Sequence, residues 1–112
     1  MGKPESLMGF AAKSRDLVTG SNTCEIEAKK GRLKLLIIAE DMADGSREKM
    51  IRTADANGIP YRIYGDSDGL SHITGCSGRS VFGITDSGFA RSIIKEIDIT
   101  SDKENSEREV LE

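Results

Sequence analysis

The 112-residue chain has no tryptophan and only five phenylalanine or tyrosine residues, so its core must be built mostly from aliphatic side chains. It has two cysteines, Cys24 and Cys76, far apart and without a CxxC spacing or histidine companions. That pattern supports neither a disulfide framework nor a zinc site. The single histidine, His72, lies outside any Ser/His/Asp or Cys/His motif, so a catalytic base would have to be assembled by tertiary contacts alone. Long apolar runs are missing as well. Leu7 to Ala12 is the longest near-apolar stretch at the start and is interrupted by Lys13, too short for a secretory segment. These absences point to a protein of the reducing cytoplasm, with no membrane partner, no metal and no cofactor.

What is present is charge, 31% of the residues against 37% hydrophobic ones, with a formal net charge of −3. The last twelve residues hold five acids (Asp102, Glu104, Glu107, Glu109, Glu112) and two bases (Lys103, Arg108), a sum of −5 + 2 = −3. The body before them is therefore neutral, and it contains a local basic run of Lys29, Lys30, Arg32 and Lys34. Such a run is ordinarily a solvated face. The length fits one small domain, and the composition divides it into a domain over 1–99 and an acidic flexible tail over 100–112.

Periodicity places the elements. Leu7, Phe10, Ala11 and Ser14 form a helical stripe, followed by a short extended piece, Asp16 to Gly20. A second helix opens at Gly20-Ser21-Asn22-Thr23, with Ser21 or Asn22 able to cap it, and closes at Gly31. Lys34 to Ala39 is a continuous apolar run, the mark of a strand covered on both faces. A third helix carries Met50, Ile51 and Ala54, capped by Asp44 or Ser46, and ends at Asn57-Gly58 with Pro60 beyond. Tyr61 to Tyr64 reads as a strand, Asp66 to Gly75 as a short capped helix, and Cys76-Ser77-Gly78-Arg79 as a polar loop. Val81 to Thr85 is the last strand. Asp86 or Ser87 then caps a final helix buried through Phe89, Ala90, Ile93, Ile94 and Ile97. Helices alternating with strands predict a three-layer α/β/α sandwich around a mixed sheet of about four strands.

Candidate sites can each be set beside a plainer reading. Glu40, Asp41 and Asp44 follow the central strand, where α/β sheets often bind ligands. A Mg²⁺-binding receiver domain would also want an acceptor aspartate and a downstream lysine, and no such lysine is evident on the last strand; capping and solvation account for these acids. The Gly75 to Ser80 segment is glycine-containing and basic but lacks the lysine and spacing of a P-loop. The start of the second helix offers free N–H groups, partial positive charge and small polar side chains. Alone, that combination is more often a cap than a site.

The order of the pieces carries a resemblance. GSNTCEIEAKKGRLKLLIIAED resembles the second helix and central strand of the kink-turn RNA-binding ribosomal proteins, the large-subunit "L-seven-Ae" type. There a helix beginning Gly-x-Asn-Glu-x-x-Lys runs to a glycine and a strand ending Ala-Glu-Asp. IPYRIY, DGLSHITG and VFGITDSGFARSI look like the later elements of the bacterial YlxQ-like members, and the likeness covers about residues 6–97. It implies a non-enzymatic, ribosomal or ribosome-associated RNA-binding protein that recognises kinked RNA through the second helix's N-terminus and the loop before the last strand. DNA is not an expected partner. Carried over by position, Gly20 and Asn22 match the motif, while Thr23 replaces its glutamate and Ile26 its lysine. Lys34 matches the lysine at the strand start, and Cys76, Ser77, Gly78 and Arg79 occupy the loop. On this reading Asn22 and Thr23 contact bases, the backbone N–H groups of Gly20 and Ser21 approach the RNA, and Lys29, Lys30, Arg32, Lys34 and Arg79 contact phosphates. The alternative from another class is a protein-interaction module on the same fold, without specific RNA binding.

Overall fold

The computed structural model describes the backbone of residues 3–111 and the side chains of residues 3–100. Its elements are α1 (Lys3–Lys13), β1 (Leu17–Thr19), α2 (Ser21–Lys29), β2 (Leu35–Ile38), α3 (Asp44–Ala56), β3 (Tyr61–Ile63), α4 (Ser67–Thr74), β4 (Val81–Ile84) and α5 (Ser87–Leu111). The sheet order is β1-β4-β2-β3. β2 and β3 are parallel, and β4 runs antiparallel to both of its neighbours. The sheet is thus mixed and four-stranded, as the sequence predicts.

All four residues of β2 are buried, and their alternation divides the core. Leu35 and Ile37 meet Met8, Leu70, Phe82, Ile84 and Ile93 on the face covered by α1, α4 and α5. Leu36 and Ile38 meet Cys24, Ala28, Leu33, Met50 and Ala54 on the face covered by α2 and α3. A strand whose successive side chains enter two separate cores can only be central. At Gly83 in β4, an added Cβ would lie 2.3 Å from Leu33 Cδ1 and 3.1 Å from Val18 Cγ2. Only glycine lets the segment that leads into β2 pack so closely on the sheet.

The caps differ in part from those predicted. Asp66 caps α4, its carboxylate accepting from the Gly69 N–H at 2.6 Å, and Asp86 caps α5 by accepting from the Phe89 N–H at 2.8 Å. For α3, however, the capping position is Ala43, with no side-chain bond. Asp44 is already inside that helix and pairs with Arg47 at 3.8 Å. α5 runs on as helix to Leu111, where the polar composition predicts a frayed chain. Glu, Lys and Arg are good helix formers, and no glycine or proline follows Gly88 to end the element.

Candidate functional site

β1 is followed by Gly20, whose N–H donates to the Val81 carbonyl at 3.1 Å. This one bond sets the start of α2 beside the start of β4. Gly20 has φ +92° and occupies the capping position of α2, with no side-chain cap. Neither Ser21 nor Asn22 caps the helix, contrary to the sequence expectation. Ser21 is its first residue, and the first backbone bond within α2 runs from the Cys24 N–H to the Gly20 carbonyl. The N–H groups of Ser21, Asn22 and Thr23 therefore point out ahead of the helix without intrahelical acceptors. Asn22 and Thr23 are exposed.

The loop before β4 comes to the same place. A Cβ added to Gly20 would lie 3.3 Å from Arg79 Nη1 and 3.7 Å from Arg79 Cζ, so the guanidinium lies over the helix N-terminus. The positive φ and this close approach both favour glycine at position 20. Arg79 is held from behind by Ser71 of α4, which is only 6% exposed. The Ser71 hydroxyl donates to the Arg79 carbonyl at 3.0 Å and accepts from the Arg79 N–H at 3.1 Å. Ser77 and Gly78 are exposed. Cys76 is half-buried, its N–H donating to the Ser71 carbonyl at 2.9 Å and its Sγ lying 3.5 Å from the Thr74 carbonyl.

The result is a cation packed against the positive end of a helix. Among the described residues, no carboxylate forms an ion pair with Arg79. Two like-signed groups in contact destabilise each other unless an anion or hydrogen-bond acceptor serves both. Arg79 is exposed, so an electron-rich ligand edge, or a phosphate, can reach and accept from both.

The other predicted cations are elsewhere. Lys29 and Lys30 are exposed at the C-terminal end of α2, about 12 Å along the helix from its start, where they complement the negative end of the helix. Lys34 donates its N–H to the Ile84 carbonyl at 2.7 Å, and Ile84 lies at the opposite end of β4 from Val81. Arg32 lies beside Lys34 and pairs with Glu27 at 3.8 Å. The twelve residues proposed from sequence thus fall into two groups. Gly20 to Thr23 and Cys76 to Arg79 are together at one end of the sheet; Lys29, Lys30, Arg32 and Lys34 are at the other.

The acidic segment after β2 serves the fold. The Asp41 carboxylate accepts from the Ser67 N–H at 2.9 Å and the Ser67 hydroxyl at 2.7 Å, and these bonds hold its pKa below the usual carboxylate value. Ser67 also bonds Ser80 at 2.8 Å, which ties α4 to the loop. Arg47 donates to the carbonyls of Glu40 and Met42. Among the described residues, no three His, Cys, Asp or Glu side chains are grouped so as to hold a metal ion, and no helix is long and apolar enough to cross a membrane. No feature of the sequence singles out Ser71 and Ser67, because nothing in a short amphipathic helix marks which serine faces a distant loop.

Residues 3–94 match the model of the ribosomal protein L7Ae/L30e/S12e/Gadd45 family. The chain belongs to this family. Among its relatives is the RNA-binding protein YlxQ of Bacillus subtilis, 28% identical over 92 residues that span 82% of this chain and 92% of that protein. YlxQ of Enterococcus faecium is 24% identical over 90 residues, 80% and 85% of the two chains. A structure of a Bacillus halodurans protein of unknown function superposes with a TM-score of 0.85 at 30% identity, covering 88% of this chain and 99% of that one. The 15.5 kD RNA binding protein of Giardia lamblia shares the fold, with a TM-score of 0.72 at 22% identity over 85% and 84% of the chains. In this chain Gly20 and Asn22 stand at the start of α2. At position 26 it places an isoleucine that is 44% exposed.

Proposed function

We propose that this chain is a non-enzymatic, cytoplasmic RNA-binding protein, ribosomal or ribosome-associated, that recognises kinked RNA through the start of α2 and the loop before β4. The observation that carries this reading is the Arg79 guanidinium over the uncapped N-terminus of α2. The family relationship and the names of the YlxQ relatives support it. Regular A-form RNA buries its base edges in a deep, narrow groove that side chains cannot read, whereas kinked or looped RNA opens them. A short helix start with small polar side chains can approach such an opening closely. Asn22 presents both an amide donor and a carbonyl acceptor to a base edge. Arg79 supplies a planar, multidentate donor to phosphate or to a purine edge. Thr23 and Ile26 offer neither the carboxylate nor the ammonium of the family motif, so discrimination rests on Asn22, the backbone N–H groups and Arg79.

The decisive measurement is titration of a kink-turn RNA against the same RNA straightened by mutation of its G·A pairs, at several salt concentrations. The kinked RNA should bind more tightly, and Asn22→Ala should narrow the gap by a factor corresponding to about 1–3 kcal/mol. Equal, negligible affinity for both RNAs would sink the reading.

A further inference from the structure

The second cationic group has a geometry of its own. Arg15, Arg32, Lys34 and Thr85 line an open cleft of about 540 Å³ at the β4 end remote from Gly20, with Glu27 as the one carboxylate in its wall. Four residues of β4 separate this cleft from the α2 start, roughly 10 Å of strand. The helix start and the cleft thus present two cationic groups about 10 Å apart.

Arg15 is the telling residue. It has φ +63°, the one non-glycine residue with positive φ among those described. It occupies the left-handed position that ends α1: the Asp16 N–H donates to the Ala11 carbonyl at 2.8 Å and the Arg15 N–H to the Ala12 carbonyl at 3.1 Å. Glycine is the usual occupant of that position, because a side chain there strains the backbone. An arginine tolerated at a glycine position, and aimed into a cleft with two further cations, places backbone strain where positive charge is concentrated.

We propose that this cleft is a second, sequence-independent site for RNA phosphates, engaging a separate segment of the same RNA. The inference rests on the RNA-binding reading above. The protein then holds two RNA segments at opposite ends of one sheet, reading bases at the α2 start and only backbone at the cleft. Glu27 is partly neutralised by Arg32 and leaves Arg15 and Lys34 as the cations that phosphate would engage; phosphate contacts of this kind position a complex without specifying sequence.

The test titrates the full chain, followed by backbone amide NMR, with a short fully paired RNA duplex that has no kink. Shifts at Gly31 to Lys34 and Thr85 are expected. Arg15→Gly relieves the strained position, so it should leave the melting temperature equal or higher, yet together with Lys34→Gln it should weaken duplex binding several-fold. It should also flatten the salt dependence by close to one unit of slope per cation removed, without altering the preference for kinked over straightened RNA. Shifts confined to Gly20 to Thr23 and to the loop before β4, or an unchanged salt slope in the double variant, would overturn the cleft and leave the kinked-RNA reading standing. Duplex shifts at the cleft without any preference for kinked RNA would leave the cleft and remove that reading. Equal shifts at the cleft from a polyglutamate peptide at the same salt would show a general anion surface and overturn the assignment to RNA. Binding to neither RNA overturns both.

Discussion

Cys24 and Cys76 differ by what surrounds them. Cys24 is fully buried between α2 and the sheet, and burial, followed by the nearby Glu27 carboxylate, pushes its thiol up to about 12. Cys76 is half-buried in the loop before β4. A water-soluble thiol reagent at pH 8 should therefore modify the folded chain at Cys76 and reach Cys24 only on unfolding, which mass spectrometry of the labelled protein checks. The raised pKa also has a sign. The folded chain holds the Cys24 proton more tightly than the unfolded chain, so its contribution to stability is fully present below pH 9 and is lost as pH rises toward 12. Denaturant unfolding across that window should show a decline of up to about 1.4 kcal/mol per pH unit that is absent in Cys24→Ala.

At the scale of elements, α4 acts on a surface it does not share. Its Ser71 hydroxyl both donates to and accepts from the Arg79 backbone, and its Ser67 joins Asp41 to Ser80. Ser71→Ala should lower stability by about 0.5–1.5 kcal/mol, since the half-buried Arg79 backbone N–H and carbonyl lose their partner. It should weaken RNA binding several-fold as Arg79 loosens, with the loss appearing equally in kinked and straightened RNA if the guanidinium contacts phosphate, and in kinked RNA alone if it reads a base. Calorimetry and the titration, run on one variant, separate folding from binding.

Much of this architecture is legible in the chain. The apolar run Lys34 to Ala39 declares a covered strand, and Phe89, Ala90, Ile93, Ile94 and Ile97 declare the packed stripe of α5. The start of α2 and the loop at Cys76 to Arg79 stand out as separate polar features, but nothing local says that Arg79 lies over Gly20, because a bond between residues 20 and 81 makes that contact. The caps of α2 and α3 are misplaced for a related reason. A shift of one residue in a helix boundary changes which side chain stands at the capping position, and Gly20 and Ala43 hold those positions without side-chain bonds. The separation of Lys29, Lys30, Arg32 and Lys34 from the α2 start requires only helix length, and Arg15 required the backbone itself.

For the whole molecule, charge is unevenly spread. Residues 1–99 are balanced in sign, and the net −3 belongs to residues 101–112. A chain ending at residue 99 should keep the melting temperature of the full chain within a few degrees and bind RNA more tightly at low salt. The gain should vanish as salt screens the acidic segment. Equal affinities at low salt would show that the segment does not repel the ligand.

The strand order has a temporal side. β4 lies between β1 and β2, yet it follows all the other strands in the chain, so the sheet remains two pieces until its third quarter has been synthesised and β4 has inserted. The bond from Gly20 to Val81, the placement of Arg79 over α2 and the pairing of Lys34 with Ile84 all wait for that insertion. Non-local pairing of this kind is a late step in folding. A chain released before residue 84 carries Asn22 and the basic run in full and has assembled neither of the two surfaces proposed for RNA.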